Sequence, residues 1–113
     1  MNINHGASLT TKKAEIVSEI QQNSLEAILN IMPYYTQIND VVRMAQLALK
    51  MINNGKNSLT ISEKQELVDI QARIDQITTI RTTVNTKLNV VNASSNPNAI
   101  YNAAKDVKNL KGG

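Results

Sequence analysis

The sequence predicts an all-α protein: an antiparallel bundle of three main helices followed by a short fourth one. Apolar residues recur three and four positions apart along most of the chain, which is the spacing of one helix face. These residues are almost all aliphatic, since the chain has no Phe or Trp and three Tyr. A core made of many small contacts between aliphatic side chains suits facing helices better than a compact sandwich. Start and stop residues divide the pattern into helices at about 11–32, 34–53, 62–93 and 97–110.

The first helix is bounded by a threonine cap and a proline. Thr10 or Thr11 can accept a hydrogen bond from an unpaired amide of the first turn. Pro33 disfavours a helical conformation for the residue before it, so the helix should end near Met32. Its apolar face is formed by Val17, Ile20, Ala27, Ile28 and Ile31.

The second helix follows with almost no linker and carries a broad apolar surface. Its 3-4 stripe contains Ile38, Val41, Ala45, Ala48 and Ile52, and four further apolar residues widen it enough to contact two neighbours. Gly55 supplies the conformational freedom expected where a helix stops. Two arrangements remain open at Pro33, a hairpin of two helices and a single kinked rod.

The third helix carries the longest stripe of the chain. Thr60 with Glu63, and Ser62 with Gln65, both match the capping box that starts a helix. The threonines between Thr78 and Thr86 individually favour strands, but the apolar spacing of three and four favours a helix. Asn96 followed by Pro97 is a cap with a first-turn proline and predicts the short fourth helix. The stripe consists of Leu67, Ile70, Ile74, Ile77, Val84, Leu88 and Val91.

The length of the third helix predicts a protein interface. A helix over 62–93 is ~48 Å long, whereas a compact domain of this size is only ~34 Å across. Either this helix breaks, or its outer part contacts another chain. We expect a single domain over 1–113, with a flexible arm at 1–9 and a short helix and tail at 94–113. The predicted interface residues are Ile77, Ile80, Arg81, Val84, Leu88 and Val91.

The stripe also bears on what the partner is. β-branched residues occupy the core position where two-stranded coils prefer leucine, which favours three or four helices in contact. Those helices can all belong to one chain, so the stripe alone does not establish an oligomer. Where the stripe does extend beyond the chain, the expected partner is a protein: the chain itself, as a trimer or tetramer, or another subunit of an assembly.

Basic residues are concentrated towards the end of the chain, which has a net charge of +3. Lys105, Lys108 and Lys111 fall near one another on the fourth helix and could face an anion. Three lysines without interleaved aromatic residues are a weak signal for nucleic-acid binding. The simpler interpretation is that these lysines complement the dipole of the helix and lie on a face exposed to solvent.

Catalytic and ligand-binding patterns are missing from the sequence. His5 is the only histidine and lies in the polar arm, there is no cysteine, and the four glycines form no phosphate loop. The acidic pairs lack the Glu-x-x-His partners of a di-iron bundle. We therefore expect no enzymatic activity, cofactor, metal or small-molecule substrate. No apolar run approaches the ~20 residues of a membrane span, and no signal peptide is evident, which predicts a soluble protein, cytoplasmic or part of an assembled particle.

The expected function is that of a non-enzymatic structural or assembly subunit. It would associate through its long amphipathic helix as a small component of a larger particle, such as a virion, a tail or a secretion apparatus. A monomeric helical binding or regulatory module, of the inhibitor or immunity type, is the first alternative. A weakly nucleic-acid-associated bundle is the second.

Overall fold

A computed structural model describes residues 5–111 of the chain, with side chains from residue 9 onward. It contains the helices α1 (His5–Ile31), α2 (Tyr34–Asn54), α3 (Ile61–Ala93) and α4 (Pro97–Lys111). No strand occurs within 5–111. The predicted all-α fold class, a helical bundle, is confirmed.

Contacts within the chain group into two compact units. Unit 1 comprises Met1–Asn30 and Thr78–Gly113, and unit 2 comprises Ile31–Ile77. Helix α3 contributes its first half to unit 2 and its second half to unit 1. The expectation of a single domain over 1–113 stays a prediction.

Unit 1 is a three-helix arrangement around an aliphatic core. Lys13 Nζ donates to the Asn92 carbonyl at 3.3 Å, while Lys111 Nζ lies 2.6 Å from Glu26 Oε2. These contacts show that α1 runs antiparallel to α3 and parallel to α4. The buried apolar residues of unit 1 are Ile16, Ile20, Ala27, Ile80, Val84, Val91, Ile100, Ala103, Ala104 and Val107.

Helix α1 begins earlier than predicted. The sequence placed its start near Thr10, with 1–9 as a flexible arm, whereas residues from His5 onward are helical. Leu9 lies beside Ile16, Pro97 and Ile100 in a small cavity of unit 1. An apolar environment at Leu9 favours a helix that extends past the threonine cap, because packing outweighs a single cap. Residues 1–4 of the predicted arm, and Gly112 and Gly113 of the predicted tail, lie outside the described residues.

The start and stop signals read from the sequence form the expected local contacts. The Thr60 N–H donates to Glu63 Oε1 at 2.8 Å and the Glu63 N–H to Thr60 Oγ1 at 3.1 Å, which completes the predicted capping box. Asn96 Oδ1 accepts from the Asn98 N–H at the start of α4. Gly55, with φ +100°, ends α2 and donates its N–H to the Met51 carbonyl.

Helix α3 is unbroken through its threonine-rich stretch. It spans 33 residues and is therefore ~50 Å long. The Thr86 hydroxyl donates to the Thr82 carbonyl one turn earlier, so it is accommodated within the helix. Of the two alternatives raised by its length, a break in the threonine-rich half is ruled out.

Unit 2 is an antiparallel pair formed by α2 and the first half of α3. Its buried apolar residues are Met32, Leu47, Leu59 and Ile70. Leu67, Ile74 and Ile77 are half-buried. This core contains few buried apolar residues, so other side chains must supply much of the contact between the two helices.

Candidate association surface

A buried carboxylate holds the middle of α2 against α3. The Asp40 side chain accepts two hydrogen bonds from the Arg73 guanidinium, from Nε at 2.8 Å and from Nη2 at 2.7 Å. Asp40 is only 8% exposed, and its bidentate partner raises the pKa of Arg73. Such a planar, two-bond pair fixes the separation and register of the two helices.

Two further carboxylates of α3 pair with basic residues of α2. Lys50 Nζ donates to Glu63 Oε1 at 2.7 Å, and Arg43 pairs with both carboxylate oxygens of Glu66. The hydrogen bond from Lys50 and that from the Thr60 N–H lower the pKa of Glu63 to about 2 from an ordinary value of 4.5. The Arg43 hydrogen bond lowers the pKa of Glu66 as well.

The ion pairs determine which side of α2 faces α3. Asp40, Arg43 and Lys50 are the only charged residues of α2, and all three are paired with α3. At 100° per residue they lie on one side of the helix together with the buried Leu47. The apolar side of α2 therefore points away from α3.

The opposite side of α2 is apolar and exposed. Ile38 is 60% exposed, Val41 69% and Ile52 76%. All members of this surface lie within about half of the helix circumference. We call this surface the α2 outer face; it consists of Tyr34, Tyr35, Ile38, Val41, Val42, Met44, Ala45, Ala48, Leu49 and Ile52.

The α2 outer face is large for a single chain. Given the exposed fractions of its residues, it presents on the order of 700 Å² of apolar surface, with roughly 60–120 Å² per fully exposed aliphatic side chain and more for tyrosine. The largest apolar patch of a typical monomer is about 300–600 Å². A contiguous apolar surface above that range indicates an interaction site.

The sequence contained the signal for this surface but not its orientation. The spacing of Ile38, Val41, Ala45, Ala48 and Ile52 predicts a surface that contacts two neighbours, whereas all five residues are exposed in the fold. The charges that turn it outward were also visible in the sequence. Their pairing with α3 is a tertiary contact that helix periodicity does not predict.

The predicted interface on α3 has a different environment. Ile80, Val84 and Val91 are buried in unit 1, so their side chains already have contacts within the chain. Ile77 and Leu88 are half-buried, and Arg81 is exposed. Arg81 lines a shallow cavity with Leu25, Ile28 and Val84. An intermolecular contact along α3 stays a prediction, and of the six residues it would involve Arg81 most directly.

The three predicted anion-facing lysines are not equivalent. Lys111 pairs with Glu26 at 2.6 Å. Lys105 and Lys108 are exposed and line a cavity with Glu19 and Tyr101. The carboxylate of Glu19 in the same lining weakens the attraction of this site for an anion.

A groove of unit 2 is lined by Asp40, Arg43, Glu66 and Arg73, which are paired with one another across it. Within 5–111, no group of three His, Cys, Asp or Glu side chains is placed to hold a metal ion. None of the helices described is long and apolar enough to cross a membrane.

Eight of the thirteen exposed large apolar side chains of the described chain lie on the α2 outer face. Comparison with known proteins adds no relative: no family model, curated protein or solved structure matches the chain.

Proposed function

We propose that the protein is a non-enzymatic assembly subunit, a helical building block that associates with other copies of itself through an amphipathic helix. The observation that carries this proposal is the α2 outer face, whose apolar side chains are exposed while the charged residues of the same helix are paired internally. The associating helix is then α2, and not the outer part of α3 that the sequence favoured.

The size and composition of the α2 outer face support this role. A standard protein interface buries about 800 Å² on each partner, and the face presents a similar area. Its core contains aliphatic residues without any charge, and Tyr34 and Tyr35 lie at one end. Depletion of charge and the presence of aromatic residues are typical of the buried centre of an interface.

Exposing such a face permanently would be unfavourable for a protein that acts alone. Apolar surface gains about 25 cal/mol for each Å² removed from water. Association recovers part of this free energy after the cost of lost translational and rotational freedom. A monomeric regulatory module would need a partner to cover the same face, so the mass of the isolated chain distinguishes the two functions.

Light scattering over a range of protein concentrations tests the proposal. We expect species heavier than the 12.4 kDa chain, with an average mass that rises with concentration. Ile52→Asp, which places a charge in the α2 outer face, should shift the protein towards monomer. Ile61→Asp is the matched control, because Ile61 is 88% exposed and lies on α3.

A helical protein that stays at 12.4 kDa at every concentration would overturn the proposal and favour the regulatory module. Equal loss of mass in both Asp variants would show that the α2 outer face is not the contact. For nucleic-acid association, the second alternative, binding should weaken steeply with salt.

A further inference from the structure

Resting on the proposed function, we infer that the partner of the α2 outer face is the same face of a second copy, with the two α2 helices antiparallel about a two-fold axis. The inference comes from the order of large and small residues along the face. Its centre line contains Tyr34, Ile38, Val41, Ala45, Ala48 and Ile52, spaced four and three residues apart in alternation. This is the repeat that allows two helices to pack along a seam.

In the four central layers, antiparallel packing places a large residue opposite a small one. With the axis between Val41 and Ala45, Val41 of one copy lies opposite Ala45 of the other, and Ile38 lies opposite Ala48. Tyr34 lies opposite Ile52 at each end. Facing layers that alternate large and small side chains interdigitate without voids.

Parallel packing gives a poorer fit. Each residue would then face its own copy, so that Ala45 meets Ala45 and Ala48 meets Ala48 in consecutive layers. Ile38 and Val41 would face themselves one turn away. The larger residues in the layers on either side would hold the two helices apart. The two neighbouring layers of alanine would then leave unfilled space between them.

The rows that flank the seam support the same arrangement. One flank carries Tyr35, Val42 and Leu49, and in an antiparallel pair this row meets its own copy. Val42 then lies beside Val42 of the second copy, close to the axis, and Tyr35 lies beside Leu49. The other flank carries Gln37, Met44 and Met51. It places Met44 beside Met44 of the second copy, which gives a flexible apolar contact, while the Gln37 amide is already bonded to the Met32 carbonyl.

The distribution of charge indicates a second copy more than an unrelated charged partner. The three charged residues of α2 are paired with α3, and the outer face itself carries no charge. An acidic or basic partner helix would find no complementary group there. A symmetric contact needs only self-complementary shape, which the order of residues provides.

Disulfide cross-linking tests the direction of the helices, since the chain contains no cysteine of its own. Ile38→Cys and Ala48→Cys are made as separate variants, and both positions lie on the exposed face of a folded helix. In the antiparallel pair, Cys at 38 of one copy faces Cys at 48 of the other. We expect a band at twice the 12.4 kDa mass when the two variants are mixed and oxidised, and little from either variant alone.

The control is Asn39→Cys mixed with Ala48→Cys, because Asn39 lies outside the α2 outer face and its thiol would be too far for a disulfide. Cross-linking of each variant with itself, at 38 or at 48, would show parallel helices and overturn the inference. Oligomers in light scattering without the mixed cross-link would overturn it too, and would leave the proposed function standing. A chain that is monomeric at every concentration would overturn both.

Discussion

Two leucines of α2 provide a direct test of which side of the helix is inside. Leu47 is 1% exposed and Leu49 is 57% exposed, although they are two residues apart. Replacing a buried leucine with alanine costs about 2–5 kcal/mol. The core of unit 2 is thin and free to relax, so we expect about 2–3 kcal/mol for Leu47→Ala. Surface substitutions usually stay within about 0.5 kcal/mol, which is our expectation for Leu49→Ala at high dilution.

Urea unfolding, followed by circular dichroism at 222 nm, measures both costs. At low concentration the two variants should differ by about 2 kcal/mol in free energy of unfolding. At high concentration Leu49→Ala should become more costly, because association stabilises the folded chain by mass action and the variant weakens it. Equal costs at high dilution, or a cost below about 1 kcal/mol for Leu47→Ala, would refute the described orientation of α2.

Three further predictions concern unit 2. Asp40→Asn should cost about 1–2 kcal/mol in urea unfolding, because the Arg73 guanidinium loses its charged acceptor, whereas the exposed Glu15→Gln should change stability by less than about 0.5 kcal/mol. The pKa of Glu63 is lowered to about 2, so the contribution of its ion pair to stability is complete above pH 4.5 and is lost as the pH falls towards 2. Glu63→Gln should therefore flatten the acid side of a plot of unfolding free energy against pH. An unchanged acid side would contradict the pairing. Gly55→Ala should cost about 1 kcal/mol from its positive φ alone, since a Cβ there meets nothing within 4 Å, and a neutral result would show that the turn relaxes.

Local signals in the sequence were sufficient for most of the helix boundaries. The capping box at Thr60 and Glu63 and the cap at Asn96 act within a few residues, so their hydrogen bonds follow from the sequence alone. The start of α1 was missed because it depends on Leu9, whose apolar contacts lie on α4. Contacts between residues distant in the chain are not visible in local patterns.

The candidate surface shows the same limit at larger scale. The sequence identified an apolar stripe on α2 and a longer one on α3, and favoured the longer one as the interface. In the fold, Val84 and Val91 of the α3 stripe are covered within unit 1. Ion pairs such as Asp40 with Arg73 turn the α2 stripe outward. Periodicity identifies apolar faces, but only tertiary contacts determine which face remains exposed.

In the proposed function, the α2 outer face becomes covered when copies of the chain associate. Thiol labelling measures this directly, since Leu49→Cys and Ile61→Cys would each carry a single cysteine in a chain that otherwise has none. Both positions are exposed in the single chain. We predict that the labelling rate at 49 falls as protein concentration rises while the rate at 61 stays constant. A rate at 49 that is independent of concentration, in samples whose light scattering shows oligomers, would contradict the claim.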